Sequence, residues 1–413
     1  MERRKGILII ESLSFMEKKI NLGLLPKLIV AIVLGIVIGL TLGDVWDANI
    51  IRLTNTLKEI FSNFLTFIIP LIIIGFIVPG IAELGAGAGK TLAITAVIAY
   101  VSTVIAGVFA YFVDSVAFHI LLNGSILPAV EDGKVAEPFF SIDMPPIMAV
   151  MSALLLAFVL GLGIATTGST ALKECFSELQ EIVTKVIHRV IIPILPVYVF
   201  SIFANMAYEG TVFVILKVFI KVFLLILVLH WVIICIQYSI AGIVAKKNPF
   251  LCIKTMLPAY MTAIGTQSSA ATIPITLAQT KQNGVRGSVA DFVIPLCATI
   301  HLSGSTITIT SCSLAIMMLK QDLFPDHGFT VMFPFILMLG VTMVAAPGVP
   351  GGAIMAGLGL LMTMLNFTDV ETGLMIALYM AQDSFGTACN VTGDGAIAIL
   401  VDAVLGRKKK GNG

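Results

Sequence analysis

Four polar residues near the carboxyl end of the chain are spaced so that they share one side of a helix. Asp383, Thr387, Asn390 and Asp394 lie in the segment QDSFGTACNVTGD, and apolar runs flank that segment on both sides. A helical period of 3.6 residues aligns them in one stripe. A carboxylate at the centre of a bilayer costs at least about 2.5 kcal/mol, so we expect these two to mark an ion or substrate pathway. Aspartates that pair with basic residues to join helices are the alternative, but few bases lie within the apolar segments nearby.

A second polar stretch, ATIHLSGSTIT, interrupts another apolar segment at 298–308. Gly304 lies between two serines, which predicts a locally unwound helix whose free carbonyl groups could bind a hard cation. His301 lies inside this break, and two roles stay open for it: a neutral packing group or a proton carrier. We favour the neutral form because no carboxylate is expected beside the imidazole, and burial then disfavours its charged form.

The elements that must hold these residues are membrane-spanning helices. The 413-residue chain is 58% hydrophobic and 12% charged, with a mean hydropathy of +1.03. Apolar runs of about 20 residues match the thickness of a bilayer. The net charge of +1 and the scattered basic residues exclude nucleic-acid binding, and the six cysteines have no metal-ligand spacing. We predict that the second half of the chain, from 250 to 405, is more broken. In the first half we predict spans at 24–43, 57–82, 91–122, 147–166, 186–207 and 212–245.

Two segments of the second half are interrupted in the middle. Tyr260–Thr280 contains GTQSSAATIP, and Phe333–Leu365 contains AAPGVPGGA. Non-helical backbone at membrane depth is tolerated where protein buries it or where it lines a cavity. A pair of such breaks therefore predicts two re-entrant hairpins around a binding site. Two proline-kinked helices are the alternative.

Basic residues predict the orientation in the membrane. Lysines recur in alternate loops, at Lys90, Lys173 and Lys246, whereas Asp44 and Glu131 lie in the loops between them. Because cytoplasmic loops carry the excess of basic residues, we expect a multi-pass protein of the plasma membrane with both termini in the cytoplasm. We expect no cleaved signal peptide, since no small-residue cleavage site follows the basic start.

Four motifs and their order along the chain resemble the dicarboxylate/amino acid:cation symporter family. They are the SSAATIP tip, the ATIHLSGS break, the GVPGGA tip and the D-x-x-x-T-x-x-N-V-x-G-D helix. The resemblance runs from the first span to the last. It implies an all-α polytopic membrane protein of about eight transmembrane helices and two re-entrant hairpins, with inverted repeats, an elevator mechanism and a homotrimeric assembly. It also implies a cytoplasmic segment 1–20, a region 21–249 of mainly scaffold and trimerisation helices whose third span also contributes to the transport domain, a transport core 250–405 and a basic cytoplasmic tail 406–413.

The resemblance further implies roles for single residues. Asp383 would hold the amino group of the substrate and Asn390 and Thr387 its α-carboxylate side, and the pocket would be completed by Ser269, Ser305 and the backbone around Val349. One sodium site would combine the Asp394 carboxylate with backbone carbonyls of Cys297, His301 and Asn390. A second would use the carbonyls of Thr299, Met343, Val344 and Ala346.

Two departures from the family pattern concern substrate and coupling. Gly386 stands where acidic-substrate members have an arginine, and Gln267 stands at the alternative arginine position. These changes favour sodium-coupled uptake of serine, threonine or alanine over uptake of acidic amino acids or dicarboxylates. Ser303 stands where the third sodium site has a carboxylate, so we expect fewer than three sodium ions per cycle and no organic cofactor.

An intramembrane hydrolase is the competing hypothesis from another class. His301 and a serine, Ser303 or Ser305, are residue types that could act as base and nucleophile. Neighbours on one short stretch rarely reach attack geometry, and a hydrolase leaves both hairpin breaks and Asp394 unexplained. An ion channel would need a ring of pore-lining groups. We therefore expect a transporter without enzymatic activity.

Overall fold

A computed structural model of the protein describes residues 24–43, 48–85, 90–122, 136–320, 322–344 and 346–407. The predictions made for the segment 1–20, for Asp44 and Glu131, and for residues 408–413 of the tail lie outside these ranges. Within them the secondary structure is helical, with a π-helical turn at Ile187–Ile191 and fourteen α-helices: α1 (Leu24–Leu42), α2 (Asn49–Gly85), α3 (Lys90–Leu121), α4 (Val150–Thr167), α5 (Thr170–Val186), α6 (Ile192–Tyr208), α7 (Val212–Ala245), α8 (Pro249–Thr266), α9 (Ser269–Gln282), α10 (Gly287–Ile300), α11 (Ser303–Leu319), α12 (Phe329–Met343), α13 (Gly352–Met364) and α14 (Asp369–Arg407).

Several helices have the length and composition of membrane spans. Six stretches in the described part of the chain are long and apolar enough to cross a bilayer, and α1, α4, α12 and α13 are shorter apolar helices. The all-α, multi-pass character predicted from the composition is thereby confirmed. The six stretches are Asn49–Ala82, Lys90–Leu121, Thr170–Tyr208, Val212–Ala245, Gly287–Leu319 and Asp369–Gly406.

The predicted spans agree with the helices except between the fourth and the fifth. The sequence predicts a basic loop there, but Thr170–Val186 is a helix that continues through the π-helical turn into α6. Only Val183 of α5 is buried, and the Ser169 side chain caps its first turn by accepting from Leu172 N at 3.4 Å. Its apolar residues follow a helical period, but its many charged residues lower the mean hydropathy, so a search for long apolar runs does not reveal this helix.

Glycines allow α1 to pack closely on α6. A Cβ atom at Gly35 would lie 2.5 Å from Phe200 O, and one at Gly39 would lie 2.3 Å from Ala204 O. Without side chains at these two positions, four residues apart, the two backbones approach each other directly, as small residues permit in membrane helices. The opposite side of α1 exposes apolar residues such as Val33 and Val37, as a lipid-facing surface requires.

The second half of the chain contains the predicted interruptions. Helix α8 ends at Thr266 and α9 begins at Ser269, and the two helices pack against each other. Helix α12 ends at Met343 and its packing partner α13 begins at Gly352. Helices α10 and α11 are separated by two non-helical residues, His301 and Leu302. Helix α14 packs against α8, α9, α10, α11 and α13 and thereby borders all three breaks.

Candidate functional site

Helix α14 carries the predicted polar stripe without interruption. Asp383, Thr387, Asn390 and Asp394 all lie on it, and each is no more than 5% exposed. A helix rises 1.5 Å per residue, so the two carboxylates are about 16 Å apart along its axis. The stripe therefore holds two separate sites at different depths.

The first site is centred on the Asp383 carboxylate. Gly351 N, from the break between α12 and α13, donates to Asp383 Oδ2 at 2.8 Å. Gly351 has φ +72°, the left-handed region that glycine adopts without strain, and this conformation directs its N–H toward the carboxylate. Thr387 Oγ1 lies one turn away, 3.5 Å from Asp383 Oδ1. The break between α12 and α13 thus directly contacts Asp383, the residue expected to bind the amino group of the substrate.

Asn390 joins this site to the unwound start of α11. Its Oδ1 accepts from Gly304 N at 2.8 Å and from Ser305 N at 3.3 Å, while its Nδ2 donates to Ser305 Oγ at 3.0 Å. Tyr379 OH donates to the same Ser305 oxygen at 2.9 Å. In an unbroken helix Gly304 N would donate to Ile300 O. The predicted unwinding is present, and it deprives that carbonyl group of its helical donor.

The tips of the two interrupted segments contact each other beside this site. Ser268 Oγ donates to Gly348 O at 2.7 Å, and Ala270 N approaches the same carbonyl at 3.3 Å. Ser269, the predicted substrate residue of the first tip, is 4% exposed, and Val349 O of the second tip accepts from Gly352 N. The structure therefore brings both tips to one end of the Asp383 site.

The second site contains Asp394 and His301. His301 Nδ1 lies 3.0 Å from Asp394 Oδ1, and both side chains are at most 1% exposed. The expectation that no carboxylate lies beside His301 is therefore wrong. The contact joins two residues that are 93 positions apart in the chain, so it depends on how α14 crosses the α10–α11 break.

The hydrogen bonds around His301 form a directional chain. Gln237 Nε2 donates to Ser102 Oγ at 3.1 Å, and Ser102 Oγ lies 3.0 Å from His301 Nε2. A neutral imidazole satisfies this chain. Ser102 Oγ donates to His301 Nε2, and His301 Nδ1–H donates to the Asp394 carboxylate, which only accepts. Gln237 Nε2 also lies 3.2 Å from Ser303 Oγ, the residue at the position of the family's carboxylate.

Three of the four residues predicted for the second sodium site line a common cavity. Thr299, Val344 and Ala346 border a cavity of about 280 Å³ between the end of α10 and the break after α12. Met343, the remaining member of the set, is the last residue of α12 and is fully buried. Cys297, predicted for the other sodium site, is also buried, and its carbonyl accepts from His301 N at 2.9 Å.

No arginine or lysine takes part in the hydrogen bonds of the Asp383 site within the described residues, although His230 Nε2 lies 3.1 Å from Gly304 O and 3.2 Å from Thr308 Oγ1 at its edge. A Cβ atom at Gly386 would meet Ser305 N and Thr308 Oγ1 at 3.7 Å, so this position faces the first turn of α11. Gln267 donates instead to Ser384 Oγ at 2.8 Å. The two positions at which an arginine was considered therefore carry no charge.

Sequence reasoning missed several residues of these networks, among them His230, which contacts Gly304 O at 3.1 Å. Tyr379, Ser102 and Gln237 contact the predicted residues but were not assigned to either site. Gln237 had a usable signal, because a glutamine in the middle of the apolar helix α7 needs a polar partner in the membrane. Ser102 and Tyr379 had none, since serine and tyrosine are common in such helices without a functional role.

Comparisons with known proteins agree with this arrangement. A sequence model described as the sodium:dicarboxylate symporter family matches residues 24–404. The serine/threonine transporter SstT of Acinetobacter baumannii (strain AYE) is 26% identical over 400 residues, which cover 92% of this chain and 97% of that protein. The protein of the same name from Acinetobacter baylyi is 25% identical over 405 residues, covering 93% and 98%. The family and these relatives are transporters and not enzymes, so the hydrolase hypothesis is wrong.

Proposed function

Because the chain belongs to the sodium:dicarboxylate symporter family, we propose that it couples the inward movement of sodium to uptake of a small neutral amino acid, with serine, threonine and alanine as candidate substrates. One observation carries the substrate class. The Asp383 site offers a carboxylate for an ammonium group, but no arginine or lysine of the described residues hydrogen bonds within it. The name of the relatives, serine/threonine transporter, supports the same class.

The contacts of Asp383 suggest how a substrate is held. The ammonium group takes the place of Gly351 N–H on Asp383 Oδ2, which requires the break between α12 and α13 to move away and return. Asn390 Nδ2 and the Thr387 hydroxyl then donate to the α-carboxylate side. Ser305, Ser269 and the backbone at Val349 complete the pocket. Both ends of the zwitterion thereby gain charge-assisted hydrogen bonds.

An acidic amino acid or a dicarboxylate is the alternative substrate class, and the same site argues against it. Its additional carboxylate would be buried beside Gly386 without a basic partner. Transfer of an unpaired charge into such a site costs several kcal/mol. A neutral side chain or a hydroxyl group, which the Ser305 and Thr308 region can accommodate, avoids this cost.

Sodium enters this proposal as a co-transported substrate. The carboxylate of Asp394 with carbonyl groups of Cys297, His301 and Asn390 would form one site, and carbonyl groups of Thr299, Met343, Val344 and Ala346 a second. A cation in the second site would attract the end of α12 and the end of α10 to each other, and so favour closure of the adjacent break over the substrate. Ser303 supplies no charge for a third ion, so we propose fewer than three ions per cycle.

The proposal extends to the arrangement in the membrane. Residues 21–249 form a scaffold, with α3 joining the transport core 250–405, and the core moves as a unit across the bilayer in each protomer of a homotrimer. The mutual packing of α8 to α11 with α14 supports one moving unit. Both termini are cytoplasmic and α8–α9 and α12–α13 enter the membrane from opposite sides, as the alternation of basic loops favours.

Uptake into proteoliposomes tests the function directly. Purified full-length protein should accumulate radiolabelled serine, threonine or alanine when sodium is present outside, and not when choline replaces it. Unlabelled alanine should compete, whereas aspartate, glutamate and succinate at the same concentration should compete poorly. Sodium-dependent accumulation of aspartate or succinate in preference to serine would overturn the substrate class, and accumulation without sodium would overturn the coupling.

A further inference from the structure

A buried carboxylate without a hydrogen-bond partner in the described part of the chain lies outside both proposed sites. Asp114 on α3 is 0% exposed, and neither of its carboxylate oxygens has a hydrogen-bond partner among the described residues. Asp114 lies on the side of α3 that packs on α11. Ala110 and Gly107 lie on the same side, one and two turns before it. A Cβ atom at Gly107 would lie 3.6 Å from Thr310 Oγ1 of α11. Nothing in the transport site uses this group.

The neighbours of Asp114 are polar but uncharged. From α11 the Ser311 hydroxyl faces the carboxylate without completing a hydrogen bond, and the Cys312 thiol lies beside it. From α14, Gln382 Nε2 donates to Cys312 Sγ at 3.4 Å, which leaves Gln382 Oε1 without a partner. Helix α12 has no titratable side chain, and α2, α7, α10 and α14 present no charged group to Asp114 in the described part of the chain. Cys312 is thus the titratable group that faces it.

An ionised carboxylate has no stable place in these surroundings. Without a donor or a counter-charge, a buried carboxylate becomes neutral by taking up a proton. No water-sized space touches either oxygen of Asp114, so a hydrated ion does not fit, whereas a proton needs no additional volume. A protonated Asp114 also gains a donor, and Ser311 Oγ, which faces it, is an unpartnered acceptor.

Unpartnered oxygens extend from Asp114 toward the Asp394 site. Thr103 is on the same side of α3, about 16 Å away along the axis, and the next residue before it, Ser102, contacts His301 at 3.0 Å. Six of the eleven buried polar atoms without a partner in the described residues lie along this path: Thr103 Oγ1, Asp114 Oδ1, Asp114 Oδ2, Thr310 Oγ1, Ser311 Oγ and Gln382 Oε1.

We propose that Asp114 is a proton-binding site and that its carboxylate is protonated when α3, α11 and α14 pack as they do in this structure. One proton is loaded and released there in each transport cycle. The site adds a proton to the ions of the proposed function and so rests on that function. It is separate from the Asp394 and Thr299 sites and needs none of their residues as a ligand.

Transport driven by a pH gradient tests the proposal. Proteoliposomes are given fixed sodium and serine gradients, and the equilibrium accumulation of serine is measured with and without one pH unit across the membrane, acid outside. One proton per serine predicts about a tenfold increase in wild type. Asp114→Asn should keep sodium-dependent uptake and lose this increase. Asp143→Asn, which removes an exposed carboxylate, should behave as wild type.

Infrared spectroscopy of the purified protein provides a readout that does not need transport. Wild type should show the carbonyl band of a protonated carboxylic acid that disappears at alkaline pH, Asp114→Asn should lack this band, and Asp114→Glu should restore it. A wild-type band that does not titrate, or one that persists in Asp114→Asn, would overturn the proposal even if the variant transports nothing.

The transport outcomes separate this proposal from the proposed function. If Asp114→Asn follows the pH gradient as wild type does, the proton is carried elsewhere. If it instead lowers the number of sodium ions per cycle, Asp114 is a cation ligand, and the proposal is equally wrong. If wild type accumulates no amino acid with sodium, the proposed function fails, and the infrared titration alone decides the role of Asp114.

Discussion

Replacement of Gly386 by arginine should convert the substrate preference from neutral to acidic amino acids. A Cβ atom at this position has its nearest neighbours at 3.7 Å, from Ser305 N and Thr308 Oγ1, which is ordinary van der Waals contact. The first side-chain atom therefore fits without displacement of α11. The longer side chain then extends past Ser305, where a substrate side chain would lie, and its guanidinium group can form a fork of hydrogen bonds to a carboxylate.

The size of the effect follows from the hydrogen bonds gained. A hydrogen bond to a charged group is worth about 1.5 to 3 kcal/mol. At about 1.4 kcal/mol per factor of ten, the affinity ratio of aspartate to serine should rise roughly 10- to 150-fold. The unliganded variant buries an unpaired charge, so it should be less stable than wild type, and aspartate should raise its melting temperature more than serine does.

The assay is competition for uptake of labelled serine and labelled aspartate into proteoliposomes with sodium outside, together with thermal unfolding of the purified protein. Gly386→Ala and Gly386→Gln are the matched controls, because they add a Cβ atom or a neutral side chain at the same place. Both controls should keep the preference for serine. A well-folded Gly386→Arg protein that still excludes aspartate would refute the assignment of this position to the substrate side chain.

Three further results are expected. Asp383→Asn should weaken serine binding by roughly 10- to 150-fold while sodium binding stays measurable, whereas Asp394→Asn should abolish sodium dependence; identical sodium titrations of the two variants would contradict this division of roles. Gly304→Ala should destabilise the protein by about 1 to 3 kcal/mol, because the new Cβ atom would lie 2.5 Å from Gly386 O, while Gly163→Ala, with no atom within 4 Å, should unfold like wild type. Reversal-potential measurements should give fewer than three sodium ions per substrate, and a value of three would refute the inference from Ser303.

The sequence by itself determined the helical, multi-pass character and most of the candidate residues. Hydrophobicity over about 20 residues reports membrane spans, and the 3.6-residue period places Asp383 and Asp394 on one stripe whatever surrounds them. Glycine and proline act locally, so the breaks at His301 and at both tips were also predictable. Helix α5 was missed because its charged residues lower its mean hydropathy below that of the neighbouring spans, although its apolar residues follow a helical period.

Only the tertiary structure decided which polar groups meet. The contact of His301 with Asp394 and the link through Ser102 to Gln237 join four helical segments that are far apart in the chain. Such contacts depend on the angle and depth at which helices cross, and no local period encodes either quantity. Asp114 shows the same limit: its sequence neighbours are those of an ordinary apolar helix, and its lack of partners becomes visible only when α11 and α14 are packed against it.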